Sequence, residues 1–238
     1  MSIAGVRYGM EQKSFRENTF AAGNKTITVF PSVGLNRPII YLNTFAVEGS
    51  RVYQALRNTG DFTLVVISGL DWNHDMSPWA IPPISNREPP CTGGADDYLQ
   101  LLTEEIIPRA ERYVQGGTAW RGLAGYSLAG LLAVYSMYYT DRFSRIASMS
   151  GSLWFPGFLE YATSHEMKKK PEHLYLSLGD KECKTRNPYL KTVQDNTEKL
   201  AAFYREQQID AAFHLNLGNH YKEALERTTA GITWLLNR

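Results

Sequence analysis

An apolar run, Trp120 to Ala124, leads straight into Gly125-Tyr126-Ser127-Leu128-Ala129, and a nearly all-apolar stretch, Leu128 to Tyr139, follows without a break. Few folds accommodate that junction. A strand that passes into a buried helix through a serine at a sharp turn crowds the positions two residues to either side, so only the smallest side chains fit there. Gly125 and Ala129 occupy those places. The five residues alone would equally suit a glycine-rich turn with a hydrogen-bonding serine. The strand before and the helix after give them the context of a nucleophile elbow. The helix N-terminus then aims backbone N–H groups and a positive dipole end at the reacting centre. Leu128 N–H is the natural oxyanion donor.

The rest of the chain fits a frame around that junction. Short apolar runs recur at Thr26 to Phe30, Ile39 to Leu42, Phe62 to Ile67, Trp120 to Ala124, Ile146 to Met149, Leu174 to Leu178 and Ala212 to Leu217. Several are apolar at successive positions, which suits strands covered on both faces. Helical spacing lies between them at Ala95 to Tyr113, Leu128 to Tyr139, Asn196 to Gln208 and Tyr221 to Leu236, with Pro108 marking a kink or break in the first. Strands alternating with helices predict an α/β layer sandwich: a mostly parallel twisted sheet with helices on both faces. The run Thr26 to Phe30 is expected to pair antiparallel at an edge. Residues 72–94 and 153–171 are two aperiodic, aromatic-rich stretches, read as ordered flaps over the carboxyl edge of the sheet. No repeat or linker divides the 238 residues, so one domain is expected over residues 1–238.

A serine hydroxyl needs a base to take its proton. Five histidines compete: His74, His165, His173, His214 and His220. His173 and His214 fall in or beside strands, and His165 sits among charged residues. His220 follows Leu217-Gly218-Asn219 at the carboxyl end of the last strand, where open α/β sheets build their sites. His220 is the expected base, and His74, in a flap, is a candidate substrate contact. The base needs an orienting acid. Asp180 and Glu182 both follow the strand that ends at Gly179, and either gives the chain order serine, acid, histidine of α/β-hydrolases.

Composition excludes several classes. The formal net charge is +1, which gives no electrostatic footprint for nucleic acid or an anionic membrane. No stretch approaches the roughly 20 apolar residues of a membrane span. Met1 to Phe20 has no apolar core of a signal peptide, and a cytoplasmic location is expected. Two cysteines, Cys91 and Cys183, are too few for a disulfide framework and are read as reduced thiols. No metal-ligand spacing or phosphate-binding glycine loop is visible, so no metal and no cofactor is expected.

The motifs Gly93-Gly94-Ala95-Asp96, Leu178-Gly179-Asp180-Lys181-Glu182, Asp195-Asn196-Thr197 and Gly218-Asn219-His220-Tyr221, with the elbow, resemble the putative esterase family of the α/β-hydrolase superfamily. The similarity runs over most of the chain from Thr26 onward and is greatest to the siderophore-esterase-like branch; esterase D-like enzymes belong to the same family. The resemblance implies an α/β-hydrolase fold and a serine carboxylic-ester hydrolase. It places the nucleophile at Ser127, the base at His220 and the acid at Glu182, with Asp180 as the alternative. The family often has Leu-Asp-Gly where this chain reads Leu42-Asn43-Thr44-Phe45, so the second oxyanion donor falls on Thr44 or Phe45. Tyr126, Trp72, His74, Trp79, Trp154 and Phe155 are the candidate substrate contacts. The expected partner is a small or aryl ester. A siderophore ester, a thioester or acyl transfer to an alcohol stand as alternatives on the same scaffold, a non-catalytic binding protein stands as a second alternative, and homodimerisation is left open.

Overall fold

In the computed structural model, residues 17–86 and 88–238 are described. The reading of Met1 to Phe20 therefore falls mostly outside the described residues. The strands are β1 (Asn18–Ala22), β2 (Lys25–Phe30), β3 (Ile39–Asn43), β4 (Thr63–Ser68), a small pair β5 (Ala80–Ile81) and β6 (Cys91–Thr92), then β7 (Arg121–Tyr126), β8 (Arg145–Met149), β9 (His173–Gly179) and β10 (Asp210–Asn216). The helices are α1 (Ala46–Leu56), α2 (Trp72–Asp75), α3 (Ala95–Leu101), α4 (Ile107–Ala110), α5 (Leu128–Tyr139), α6 (Phe158–Ser164), α7 (Val193–Glu206) and α8 (Ala224–Leu236).

Eight strands form one sheet in the order β1-β2-β4-β3-β7-β8-β9-β10. From β4 to β10 every neighbouring pair is parallel; β2 runs antiparallel to both β1 and β4. This is the expected α/β-hydrolase architecture, with one correction. The run at Thr26 to Phe30 is antiparallel but not an edge, because Asn18–Ala22 pairs outside it.

The continuous apolar strands are explained by two cores. In β3, Ile39 and Tyr41 face one core while Ile40 and Leu42 face the other; in β4, Val65 and Ile67 oppose Leu64 and Val66. Helices α3, α5 and α7 cover the first face, and α1 and α8 cover the second. Helix α5 is buried along most of its length, which is why its sequence shows no polar face. Pro108 neither breaks nor ends the helical path. A π-helical turn, Leu102–Ile106, joins α3 to α4 immediately before it. Proline lacks an N–H and its ring presses on the carbonyl four residues back, and the wider turn makes room for both defects.

The first flap is partly regular. It holds α2 and the β5–β6 pair, and a buried ion pair from Lys25 Nζ to Asp75 Oδ2, 2.5 Å long, ties α2 to the sheet. The second flap contains α6. Among the described residues no helix is long and apolar enough to cross a membrane.

Candidate active site

Ser127 sits between β7 and α5 with φ 59° and ψ −124°, a strained backbone for a residue with a side chain. Its N–H bonds to Met149 O at 3.1 Å, and its carbonyl accepts from Gly130 and Ser152 N–H at 3.0 Å each. The turn is fixed on both sides. A Cβ on Gly125 would lie 2.7 Å from the Ala129 Cβ, so the two small residues flanking the serine are sterically obligatory.

The loop between β10 and α8 brings His220 to this turn. His220 Nε2 lies 3.1 Å from Ser127 Oγ, and its Nδ1 lies 2.7 Å from Glu182 Oε2. The Glu182 side chain is 6% exposed, so its charge must be compensated locally. Gly179 N–H and Arg227 Nη1 reach its other oxygen at 2.7 and 3.1 Å. Burial pushes this carboxyl up, but the hydrogen bond and charge of His220 and the Gly179 N–H outweigh it, and the net displacement is downward.

Asp180 performs a different task. Its Oδ1 accepts Gly218 N–H at 2.7 Å, two residues before His220, while Asp180 N–H bonds to Asn216 O at 2.8 Å. It tethers the histidine loop and does not contact the imidazole. Tyr126 adds a second tether, donating its hydroxyl proton to His220 O at 2.6 Å. Sequence patterns gave no hint of Arg227. It lies in α8, is buried, and also reaches Ser150 Oγ at 3.0 Å and Leu217 O at 3.3 Å.

Of the two candidates for a second oxyanion donor, Thr44 is already engaged: its N–H bonds to Ile67 O at 3.0 Å, continuing the sheet. Phe45 is the N-cap residue of α1, and among the described residues its N–H has no hydrogen-bond partner. Leu128 N–H opens α5, where no intrahelical acceptor exists.

Residues 43–234 match the family described as "Putative esterase". The chain belongs to that family. It is thus a carboxylic ester hydrolase of the α/β-hydrolase superfamily. This esterase is 23% identical over 240 residues to YbbA of Bacillus subtilis, described as uncharacterized, covering 91% of this chain and 94% of that one. Among solved structures it is similar to the siderophore hydrolase EstA of Aspergillus nidulans, with a TM-score of 0.74 at 18% identity over 100% of this chain and 98% of that one. An IroE-like serine hydrolase of Shewanella oneidensis gives 0.73 at 17% identity, over 93% and 80% of the two chains.

Two clefts open from Ser127 in the esterase. One, about 330 Å³, runs under the first flap past Ile81, Pro82, Trp154 and Leu190. The other, about 470 Å³, runs along α1 and α8 past Phe45, Val52 and Leu225. Trp72, His220 and Tyr221 line both. Of the expected substrate contacts, Trp72 and Trp154 line the first cleft and Trp72 and Tyr126 the second.

Three expected substrate contacts are not among the cleft residues. The ring of His74 packs over Gly94, which leaves no room for a side chain there, and its Nδ1 bonds to Thr92 Oγ1 at 2.7 Å. Trp79 donates to Pro156 O at 3.0 Å and packs on Phe155, Phe158 and Tyr161. Phe155 is buried in the core. These side chains fasten the two flaps to each other and to the body. The remaining histidines are peripheral: His173 bonds to Asp210, His214 stacks on Tyr175 and His165 on Tyr161. Both cysteines are free, and among the described residues no three His, Cys, Asp or Glu side chains form a group that could hold a metal ion.

Proposed function

We propose that this esterase cleaves a small or aryl carboxylic ester through a covalent acyl-enzyme, with Ser127 as nucleophile, His220 as general base and Glu182 as the acid that orients it. The reading rests on one observation above all: Ser127 Oγ lies 3.1 Å from one imidazole nitrogen while Glu182 holds the other at 2.7 Å. With the proton kept on Nδ1 by the carboxylate, Nε2 is free to accept the serine proton. Ser127 Oγ then adds to the ester carbonyl, and the N–H groups of Leu128 and Phe45 bind the oxyanion. Collapse breaks the bond to the alkoxy group, which leaves as the alcohol with the proton from His220. Water, deprotonated by His220, adds to the acyl-serine and releases the acid. The hydrogen bond and charge of His220 and the Gly179 N–H favour the ionised form of Glu182, and Arg227 holds its other oxygen.

Siderophore ester hydrolysis is the second reading. It is favoured by the similarity to EstA, named a siderophore hydrolase, and by the indole faces of Trp72 and Trp154 in one cleft, which suit aryl groups.

A fluorophosphonate probe should label folded protein at Ser127, and Ser127→Ala should abolish the adduct. On a panel of p-nitrophenyl acyl esters and catecholate esters, Ser127→Ala and His220→Ala should each lose at least about 10³ of the activity. Near-native turnover in either variant would remove that residue from its role.

A further inference from the structure

The two clefts meet at the reacting centre and otherwise have different linings. Trp72, Ser127, His220 and Tyr221 are common to both, so the serine stands on a saddle with a cavity on each side. Each cavity, about 330 and 470 Å³, lies in the size range that holds a ligand group of its own. An ester has two substituents, one on the carbonyl carbon and one on the alkoxy oxygen. A carbonyl carbon bonded to Ser127 Oγ at the saddle directs them apart.

We infer that this esterase takes esters that carry a bulky group on both sides of the scissile carbonyl, the acyl part filling one cleft and the alcohol part the other. The inference rests on the acyl-enzyme reading above and narrows its substrate from small or aryl esters in general to those with two bulky groups. The linings give the two groups different characters. The larger cleft is lined by the Phe45 ring, stacked on Trp72 at 4.9 Å, and by Val52, Ala224 and Leu225, with Glu48 and Arg51 as its charged members, and suits an apolar ring or branched alkyl group against the apolar part of its wall. The smaller has Ser150, Ser152 and Asn73 among Ile81, Trp154 and Leu190, and suits an aryl group with hydrogen-bonding substituents. An acetyl or methyl group would leave most of its cleft to water and forgo the burial that each wall offers, worth about fourfold in affinity per buried methylene.

The geometry also explains why Trp72 sits on a four-residue helix held so firmly. Asp75 accepts from Asp71 N–H at 2.7 Å and from Lys25 Nζ, which fixes the backbone that carries Trp72, and the indole itself stacks on the Phe45 ring between the two cavities.

The test compares two ester series on the wild-type protein. In one the acyl group grows from acetyl through butyryl to 3-phenylpropanoyl on a fixed p-nitrophenyl alcohol. In the other a fixed 3-phenylpropanoyl group is esterified with methyl, butyl and 2-phenylethyl alcohols. The inference expects kcat/KM to rise at least about tenfold along each series. It also expects Ala224→Phe, which fills the larger cleft, to flatten one series, and Leu190→Trp, which fills the smaller, to flatten the other. A rise along one series only, or both fillers flattening the same series, overturns it; the wild-type series decides even if a filler variant fails to fold. Fluorophosphonate labelling of the same preparation separates the two failures. Labelled Ser127 with a flat response sinks this inference alone, whereas an unlabelled Ser127 sinks the acyl-enzyme reading and this inference with it.

Discussion

Arg227 Nη1 lies 3.1 Å from Glu182 Oε1, on the far side of the carboxylate from His220. The two side chains are 2% and 6% exposed. A buried carboxylate between an imidazole and a guanidinium stays ionised and cannot rotate away from the imidazole. On the acyl-enzyme reading, Arg227 is thus a positioning residue that acts on His220 through Glu182.

Replacing Arg227 by methionine should keep the volume and remove the charge. It leaves Glu182, Ser150 Oγ and Leu217 O without their partner. Breaking a buried pair in this way typically costs about 3–5 kcal/mol. Denaturant unfolding at neutral pH checks the loss, and a stability within about 1 kcal/mol of wild type would contradict it.

The two neighbouring acids should separate cleanly. Glu182→Ala removes the partner of His220 Nδ1 and is expected to lower kcat by about 10³–10⁴, as loss of an orienting acid does elsewhere. Asp180→Ala instead strands the buried Gly218 N–H. That should cost about 1–3 kcal/mol of stability and roughly tenfold or less in rate. Steady-state kinetics of both variants on one ester decide the order, and a larger rate loss in Asp180→Ala would move the acid.

Stability should depend on pH through Glu182. Its folded carboxyl titrates below the ordinary 4.5. A lowered folded value means that the stabilisation is complete above the unfolded value and is lost as pH falls through the folded one. Glu182→Gln cannot titrate there. The gap in unfolding free energy between wild type and Glu182→Gln should therefore narrow as pH falls from about 7 to about 3.5. A gap that stays constant over that range would show that the carboxylate gains nothing from its partners.

Gly125→Ala tests the elbow. The added methyl would collide with the Ala129 carbonyl carbon and oxygen and stand 2.7 Å from its Cβ, and this backbone has no flexible side chain to give way. We expect at least about 3 kcal/mol of destabilisation and loss of activity, read from Tm and ester turnover. A stable, active Gly125→Ala would mean that the turn is looser than its geometry.

Much of this was legible before any coordinates because it is local. The elbow is written in five consecutive residues, since crowding at a strand-to-helix turn acts over two positions on either side of Ser127. The seven strand runs read from apolar patches all became strands, and the helix spacing of residues 95–113 survived a proline that a π turn absorbs. Helix α1 was not legible: Gly49, Ser50 and Arg51 dilute its apolar face, and burial against β4 and α8 holds it instead.

The sequence by itself determined the parts whose causes lie within a few bonds: the serine at its turn, the order serine, acid, histidine, and a sheet covered on both faces. Tertiary structure alone decided which of two carboxylates two residues apart meets the imidazole, because both follow β9 within three residues and only the folded turn sends Glu182 to His220 and Asp180 to Gly218. It alone put Arg227 beside Glu182, gave Thr44 N–H to Ile67 and left that of Phe45 without a partner among the described residues, and turned Trp79, Phe155 and His74 to packing contacts while Trp72 and Trp154 faced the clefts. An aromatic residue in a loop carries no periodicity to say which way it points. Its direction follows from what the opposing segment leaves open, and that segment lies tens of residues away.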